Sequence, residues 1–413
     1  MAKAKVKQRK DSKGRVLLKG ESQRKADGMY IYTYVDPYGK RCYCYSADLF
    51  KLREKKQDLM KAQMDGLDYY VGGRATINMT FDRYMSTKYN LRETTRSNYI
   101  YMFNRFVRDE FGHKLLTEVK YTDVKLFYYH LLNDRGIAIN TLDNIHTVLH
   151  PIFDMAVRDD IIRKNPTDGV LTEIKKNSGK NKGIRHALTL EQQKAFVDAM
   201  RYSPEFVHWY PIFVTLLGTG MRVGECIGLR WQDVDFKHRC ISVNHSVTYY
   251  MRGGKAGFGV SKPKTEAGNR KIPIMDTVYD TLKNEYDRQK HEGFCLMEVD
   301  GMHGFVFSNK NGSLHNPHCL NSAITRISEA YNAREIIDAK REQREPILIP
   351  HFSVHQLRHT FCSRLCENET NIKVIQEIMG HANVETTLDI YTEVNFNKKQ
   401  ESLEELSHKI DFF

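Results

Sequence analysis

The chain has 413 residues, with 63 Lys and Arg against 51 Asp and Glu, a formal charge of +12. A hydrophobic fraction of 41% supports real cores, and the length predicts two to four domains at about 150 residues each. The basic balance favours a polyanionic partner, nucleic acid or an anionic membrane surface. No apolar run approaches the ~20 residues of a membrane span, which excludes a helical membrane protein. The eight cysteines show no disulfide-framework spacing and read as reduced thiols. Residues 1–10 are charged with no apolar segment behind them, unlike a secretory signal, so a soluble cytoplasmic chain is expected.

The first 25 residues are dominated by Lys and Arg and read as a basic arm. Residues 29–35 and 40–45 are β-rich runs around Asp36-Pro37-Tyr38-Gly39, the signature of a hairpin. Residues 15–19 are expected to add a third strand and 47–64 a helix. This small sheet-plus-helix domain, 1–72, combines tyrosines and bases on its strands, which suits a sheet laid in a DNA groove. From Thr76 the period becomes helical: Tyr99, Met102, Phe103, Phe106 and Val107 share one face, and Val124, Phe127, Tyr128, Leu131 and Leu132 repeat it. A third helix over 141–157 places Leu142, Ile145, Leu149, Ile152, Phe153 and Ala156 inward, with Pro151 expected to kink or split it. Asn165-Pro166 closes this all-α domain, 76–170. Residues 171–186, rich in Lys, Gly and Ser, read as a linker without hydrophobic pattern.

The mixed region 187–395 opens with a capping box, Thr189-x-x-Gln192. The apolar run 211–218 ends in Gly218-Thr219-Gly220, where backbone can approach a ligand closely. Arg222 and Glu225 follow, one helical turn apart; the bland reading of such a pair is a surface contact worth a few tenths of a kcal/mol. Residues 240–250 alternate like a strand, and 252–259 read as a long glycine-rich loop. That loop is no phosphate-binding P-loop, because no Gly-Lys-Ser/Thr follows. Lys262-Pro263-Lys264-Thr265 precedes a Gly268-Asn269 turn and a strand at 270–275, which puts Lys264 near a hairpin tip. Ser353-x-x-Gln356 is a second capping box, so a helix begins at Val354. His355 and Arg358 then share a face beside the amide donors of the first turn, a candidate phosphate clamp. His355, His359, Cys362 and Cys366 also share roughly one face, but one straight helix cannot wrap a tetrahedral ion, so no metal site is expected. The tail, 396–413, carries a short amphipathic stretch at Leu403, Leu406 and Ile410.

Arg222 lies in Thr219-Gly220-Met221-Arg222-Val223-Gly224-Glu225, followed by Leu229-Arg230-Trp231-Gln232-Asp233-Val234. Lys264, His355-x-x-Arg358, Met379-Gly380-His381 and Ile390-Tyr391-Thr392 come after it in order. This ordered set resembles the tyrosine recombinase (phage integrase) family, and the whole layout is similar to integrases of conjugative transposons. The resemblance implies a multidomain fold: a small β-sheet plus helix N-terminal domain, an all-α core-DNA-binding domain, and a mainly α (α+β) catalytic domain. It implies Tyr391 as nucleophile, forming a 3′-phosphotyrosyl link. Arg222 and Arg358 would bind the non-bridging oxygens, and His355 and His381 would hydrogen-bond the phosphate or manage protons. Lys264, with Lys262 as fallback, would be the general acid, and Glu225 a support. A tyrosine with pKa near ~10 is a weak nucleophile at neutral pH and needs such a cationic site. The spacing from His381 to Tyr391 is one residue longer than in many relatives.

The implied activity is integration and excision of a mobile element in the bacterial cytoplasm, without metal or cofactor. The implied partners are double-stranded DNA at core and arm sites, further copies of the chain as a tetramer on DNA, and an accessory excision or DNA-bending protein. A type IB topoisomerase, which relaxes any supercoiled plasmid, and a non-catalytic DNA-binding regulator are the alternatives.

Overall fold

The computed structural model describes residues 9–35, 41–64, 74–177, 187–252, 254–263, 265–369, 371–385, 387–388 and 390–392. The chain forms two compact units, Met1–Asn181 and Lys182–Phe413. No helix among the described residues is long and apolar enough to cross a membrane.

The first unit begins with an antiparallel sheet in the order β1 (Glu21–Gln23), β2 (Tyr30–Val35), β3 (Arg41–Ser46), followed by helix α1 (Leu49–Met64). The β2–β3 hairpin lies where the alternation predicts it; its turn falls outside the described residues. The third strand does not lie at 15–19, where Val16 makes only an isolated bridge to Lys10. It lies at β1 because Glu21 is the residue that docks. Its buried carboxylate pairs with Arg53 at 3.1 Å and Lys56 at 3.6 Å on α1 and accepts the Leu18 N–H at 2.9 Å. Strand alternation sends Tyr30 inward against Leu49 and Leu52 and turns Tyr43 and Tyr45 outward.

A separate helical core follows, built from α2 (Ile77–Thr87), α3 (Glu93–Phe106), α4 (Tyr121–Asn133), α5 (Ile139–Arg158) and α6 (Val170–Asn177). Phe103, Val124, Phe127, Tyr128, Leu131 and the six inward residues expected on α5 are all buried in one cluster. Pro151 does not split α5, which is one helix of 20 residues. An interior proline costs about 3 kcal/mol, but each large buried side chain contributes ~1.5–3 kcal/mol, and Leu142, Ile145, Val148, Leu149, Ile152 and Phe153 hold the helix on its neighbours. The first part of the expected linker is also helical. Val170, Leu171 and Ile174 on α6 are buried in the same core, an apolar face that the following lysines obscured.

The second unit contains α7 (Leu190–Arg201), α8 (Tyr210–Thr219), α9 (Val223–Ile227), α10 (Asp276–Glu292), α11 (Pro317–Glu342), α12 (Val354–Asn368) and α13 (Ile372–Met379). Thr189 and Gln192 close the expected capping box on α7, each bond at 3.1 Å. One sheet has the order β4 (Val234–Asp235), β5 (Cys240–Val243), β8 (Arg270–Pro273); the other is the pair β6 (Ser246–Arg252), β7 (Lys255–Ser261). The single strand expected at 240–250 is thus two strands in two sheets. They part at Asn244-His245, where the buried His245 ring bonds Gly228 O through Nε2 at 2.7 Å.

Of the expected glycine-rich loop, Arg252 ends β6 and residues 255–259 are most of β7, while residue 253 lies outside the described residues. Gly259 lies beneath the Tyr250 ring, which a Cβ would approach to 2.8 Å, so this glycine serves strand packing. Because β8 pairs with β5 and not β7, residues 262–269 connect two sheets and do not form a hairpin tip. Lys264 itself, and the tail from 393 onward, lie outside the described residues.

Candidate active site

Helix α8 ends at Gly220 in the left-handed region, φ 61°, the conformation glycine adopts at a helix C-terminus without strain. The chain then turns into α9 with Arg222 as its N-cap. The Arg222 N–H donates to Glu225 Oε2 at 2.8 Å and its guanidinium Nη1 to Glu225 Oε1 at 2.9 Å. Helix α13 ends the same way at Gly380, φ 63°, and the Gly380 carbonyl accepts Arg222 Nη2 at 3.0 Å.

Arg358 lies on α12, which starts at Val354 as the sequence predicts, with the Ser353 N–H donating to Gln356 Oε1 at 2.9 Å. The buried Arg358 guanidinium donates to Gly220 O at 2.7 Å and to Met379 O at 2.6 Å. The carbonyls of the two helix-ending glycines are thus divided between the two arginines: Gly220 holds Arg358, and Gly380 holds Arg222. The partial negative charge of a helix C-terminus makes it a natural anchor for a guanidinium.

A third arginine, Arg270, was missed in the sequence. It starts β8 opposite Val243, on the inward face it shares with Ile272, and it donates to Glu225 Oε2 at 2.8 Å and Ile378 O at 2.8 Å. An arginine at an inward position of an alternating strand was the available signal.

Burial pushes the Glu225 carboxyl up, but the hydrogen bond and charge of Arg270, together with Arg222, carry it below the usual carboxylate range. Burial and the charges of Arg222 and Arg270 push Arg358 down to about 9, still cationic at neutral pH. Two guanidiniums thus pair with one carboxylate while the third, Arg358, is held by carbonyls and only feels its charge, and the excess positive charge makes an anion site.

His381 follows Gly380 and is buried, with Nδ1 2.9 Å from Thr387 Oγ1. Burial, then the charges of Arg358, Arg222 and Arg270, pushes its imidazole down to about 4, so it is neutral at pH 7. With Nδ1 engaged, Nε2 is left for a ligand. Thr387 is a second residue that sequence reasoning missed as a partner.

His355 is exposed in the first turn of α12. It joins Arg358, Met379, His381 and Ile390 in lining a cavity of about 220 Å³. Tyr391, next to Ile390, packs on the cluster formed by Cys362, Cys366, Ile375 and Met379. Its hydroxyl makes no hydrogen bond among the described residues. The structure therefore gathers His355, Arg358 and His381 around one pocket with Tyr391 beside it, and ties Arg222 and Glu225 to the same helix end through Gly380 O.

The family described as phage integrases matches residues 186–398. This chain belongs to the phage integrase family. It is a tyrosine-type site-specific DNA recombinase. The DNA binding domain of Tn916 integrase matches residues 5–63, the sheet and α1. The transposase from transposon Tn1545 of Streptococcus pneumoniae is 29% identical, over 97% of this chain and 96% of its own length. The transposase from transposon Tn916 of Enterococcus faecalis is likewise 29% identical over the same shares. Among solved structures, the Tn1549 transposon integrase in complex with transposon right end DNA superposes with a TM-score of 0.67 at 28% identity. That match covers 81% of this integrase and 100% of the solved chain.

Proposed function

We propose that this recombinase integrates and excises a conjugative transposon by cutting and rejoining duplex DNA at the Arg222–Arg358 cluster. The observation that carries the reading is the exchange of helix-end carbonyls between the two arginines. It holds Arg358 in the pocket that Ile390 lines and ties Arg222 to Gly380, the residue before His381, with positive charge left uncompensated. Fixed donors of this kind stabilise developing charge without reorganising during the reaction.

The Tyr391 hydroxyl oxygen attacks a backbone phosphorus, and the phosphorus–O5′ bond breaks. Arg222 and Arg358 take the non-bridging oxygens of the pentavalent transition state. The neutral His381, through Nε2, and His355 hydrogen-bond the phosphate or accept the tyrosine proton. Lys264 protonates the departing 5′-oxygen. Glu225 orients Arg222. The bond energy is retained in the 3′-phosphotyrosyl link, so the 5′-hydroxyl of a second strand reverses the step.

The similarity of residues 5–63 to the Tn916 DNA-binding domain supports an arm site for the sheet face, distinct from the core site of the catalytic domain. The region around the helical core, 76–170, is read as a clamp on the core duplex. Strand exchange between two duplexes requires further copies of the chain, read as a tetramer on DNA in the bacterial cytoplasm, with an accessory bending or excision protein setting direction.

The test is covalent trapping. The full chain is incubated with a nicked random-sequence duplex library and the trapped ends are sequenced. Wild type is expected to give a protein–DNA adduct at defined sites, and Tyr391→Phe none. An adduct formed by Tyr391→Phe would remove Tyr391 as the nucleophile. Relaxation of any supercoiled plasmid, with no site preference among trapped ends, would favour a topoisomerase.

A further inference from the structure

Arg270 is buried to 5% side-chain exposure, yet no step of the reaction above uses it. Its donors are spent inside the protein. Nη1 and Nη2 reach the two oxygens of Glu225 at 3.3 and 2.8 Å, and Nε reaches Ile378 O at 2.8 Å. Arg270, Arg358 and Arg222 therefore hold three consecutive carbonyls, those of Ile378, Met379 and Gly380. These are the end of α13, and His381 is the next residue. Gly380 makes the passage possible, since a Cβ there would come within 2.9 Å of both Arg270 Cδ and Ala267 O.

Glu225 is a buried carboxylate whose other guanidinium partner, Arg222, keeps 42% of its side chain exposed. A buried charge left with one partly solvated partner is strongly disfavoured. The fork of Arg270 supplies the second partner, reaching both oxygens of the carboxylate, and leaves the exposed part of Arg222 for phosphate.

We propose that Arg270 is a positioning residue for strand cleavage: it fixes Glu225, and through it Arg222, while pinning the end of α13 that sets His381. This rests on the reading of Arg222 and His381 given above. Without Arg270, the carboxylate of Glu225 faces Arg222 on its own helix and Arg358 from α12. It then takes up a proton at a higher pH, and once neutral it no longer holds Arg222. Loss of Arg270 should therefore move the acid limb of the cleavage rate toward neutral pH.

The experiment measures single-turnover cleavage between about pH 5 and 8 by the full chain. The substrate is a nicked suicide duplex selected beforehand by covalent trapping with wild type. Arg270→Met is expected to cleave about 10²-fold more slowly at neutral pH, the scale of a small misplacement of reacting groups. Its acid limb should shift upward and its DNA affinity should stay near wild type. Arg270→Lys, which keeps the charge but not the fork, is expected to fall between the two, and it serves as the decisive variant if Arg270→Met gives no cooperative melt. A wild-type rate and pH profile in the folded variant would overturn the proposal. So would a slower rate with an unshifted acid limb, because that marks a structural role alone. Arg222→Lys separates the two readings. If it cleaves like wild type, the role of Arg222 falls; if it is impaired while the Arg270 variants are not, only the Arg270 inference falls.

Discussion

The arginine cluster of the second unit and the outward sheet face of the first both carry positive charge, and they carry it differently. Arg358 and Arg270 are buried and tied to backbone carbonyls or to Glu225. Arg41, Tyr43 and Tyr45 are exposed on β3, with Arg24 lying over the Tyr45 ring at 5.9 Å. Charge in a low-dielectric pocket acts strongly on a nearby anion and is little affected by salt. Exposed charge is screened, and it gives DNA affinity that falls steeply with ionic strength. The first arrangement suits chemistry on one phosphate and the second suits adhesion to many.

The largest expected effect separates these roles. Arg358→Lys keeps a charge but cannot reach both Gly220 O and Met379 O with a planar fork. Cleavage of a suicide duplex should fall about 10²–10³-fold, the scale for loss of a fixed transition-state donor, while DNA affinity measured by anisotropy changes little. Parallel losses of affinity and rate would erase the distinction between the two regions.

Much of this cluster was legible because its parts are local. Arg222 and Glu225 sit three residues apart, as do His355 and Arg358, so a helix period and a capping signal suffice to pair them. Arg270 was not legible, because its partners Glu225 and Ile378 are 45 and 108 residues away and only tertiary packing brings them together. The region 252–259 was misread for a related reason. Glycine suggests a loop unless the ring that packs on it, here Tyr250, is known. Helix α6 was hidden behind the lysines that follow it, although Val170, Leu171 and Ile174 already carried a helical face. The helical core was the most legible region, because the period of α5 outweighs its one proline.

The next effect tests whether the pocket really is the more electropositive region. His381 titrates at about 4 in the folded chain against an ordinary 6.5. Between those values the unfolded chain binds the extra proton, so stability is complete above pH 6.5 and falls as the pH drops toward 4. The contribution is up to about 3 kcal/mol. Urea melts at about pH 7.5 and 5 should show wild type losing more stability on acidification than His381→Asn. Equal losses would mean that neither burial nor the arginine charges act on His381.

A smaller change probes the sheet face. Replacing Arg41 by Ala and Tyr43 and Tyr45 by Ser should weaken binding to a duplex carrying arm-type sequence about tenfold. It should also reduce the salt slope by about one for each phosphate that is no longer neutralised. Cleavage of a core-only duplex should stay at the wild-type rate. A drop in that rate would tie the sheet to the chemistry and break the division proposed here.

The smallest effect lies inside the pocket. Thr387 is fully buried, and its hydroxyl fixes Nδ1 of His381, and so the ring orientation that presents Nε2. Thr387→Val keeps the shape and removes the hydrogen bond, which is worth about 1 kcal/mol, so cleavage should slow about fivefold. The imidazole would also be free to take either tautomer, so its nitrogen chemical shifts should change toward a mixture. A hydroxyl that served only packing would be replaced by the valine methyl without a change in rate or tautomer. Thr387→Ser, which keeps the hydroxyl, should restore most of the rate even though the methyl is gone. That pair of variants asks whether the precision of the buried region comes from hydrogen bonds or from packing alone, a question the exposed sheet face does not pose.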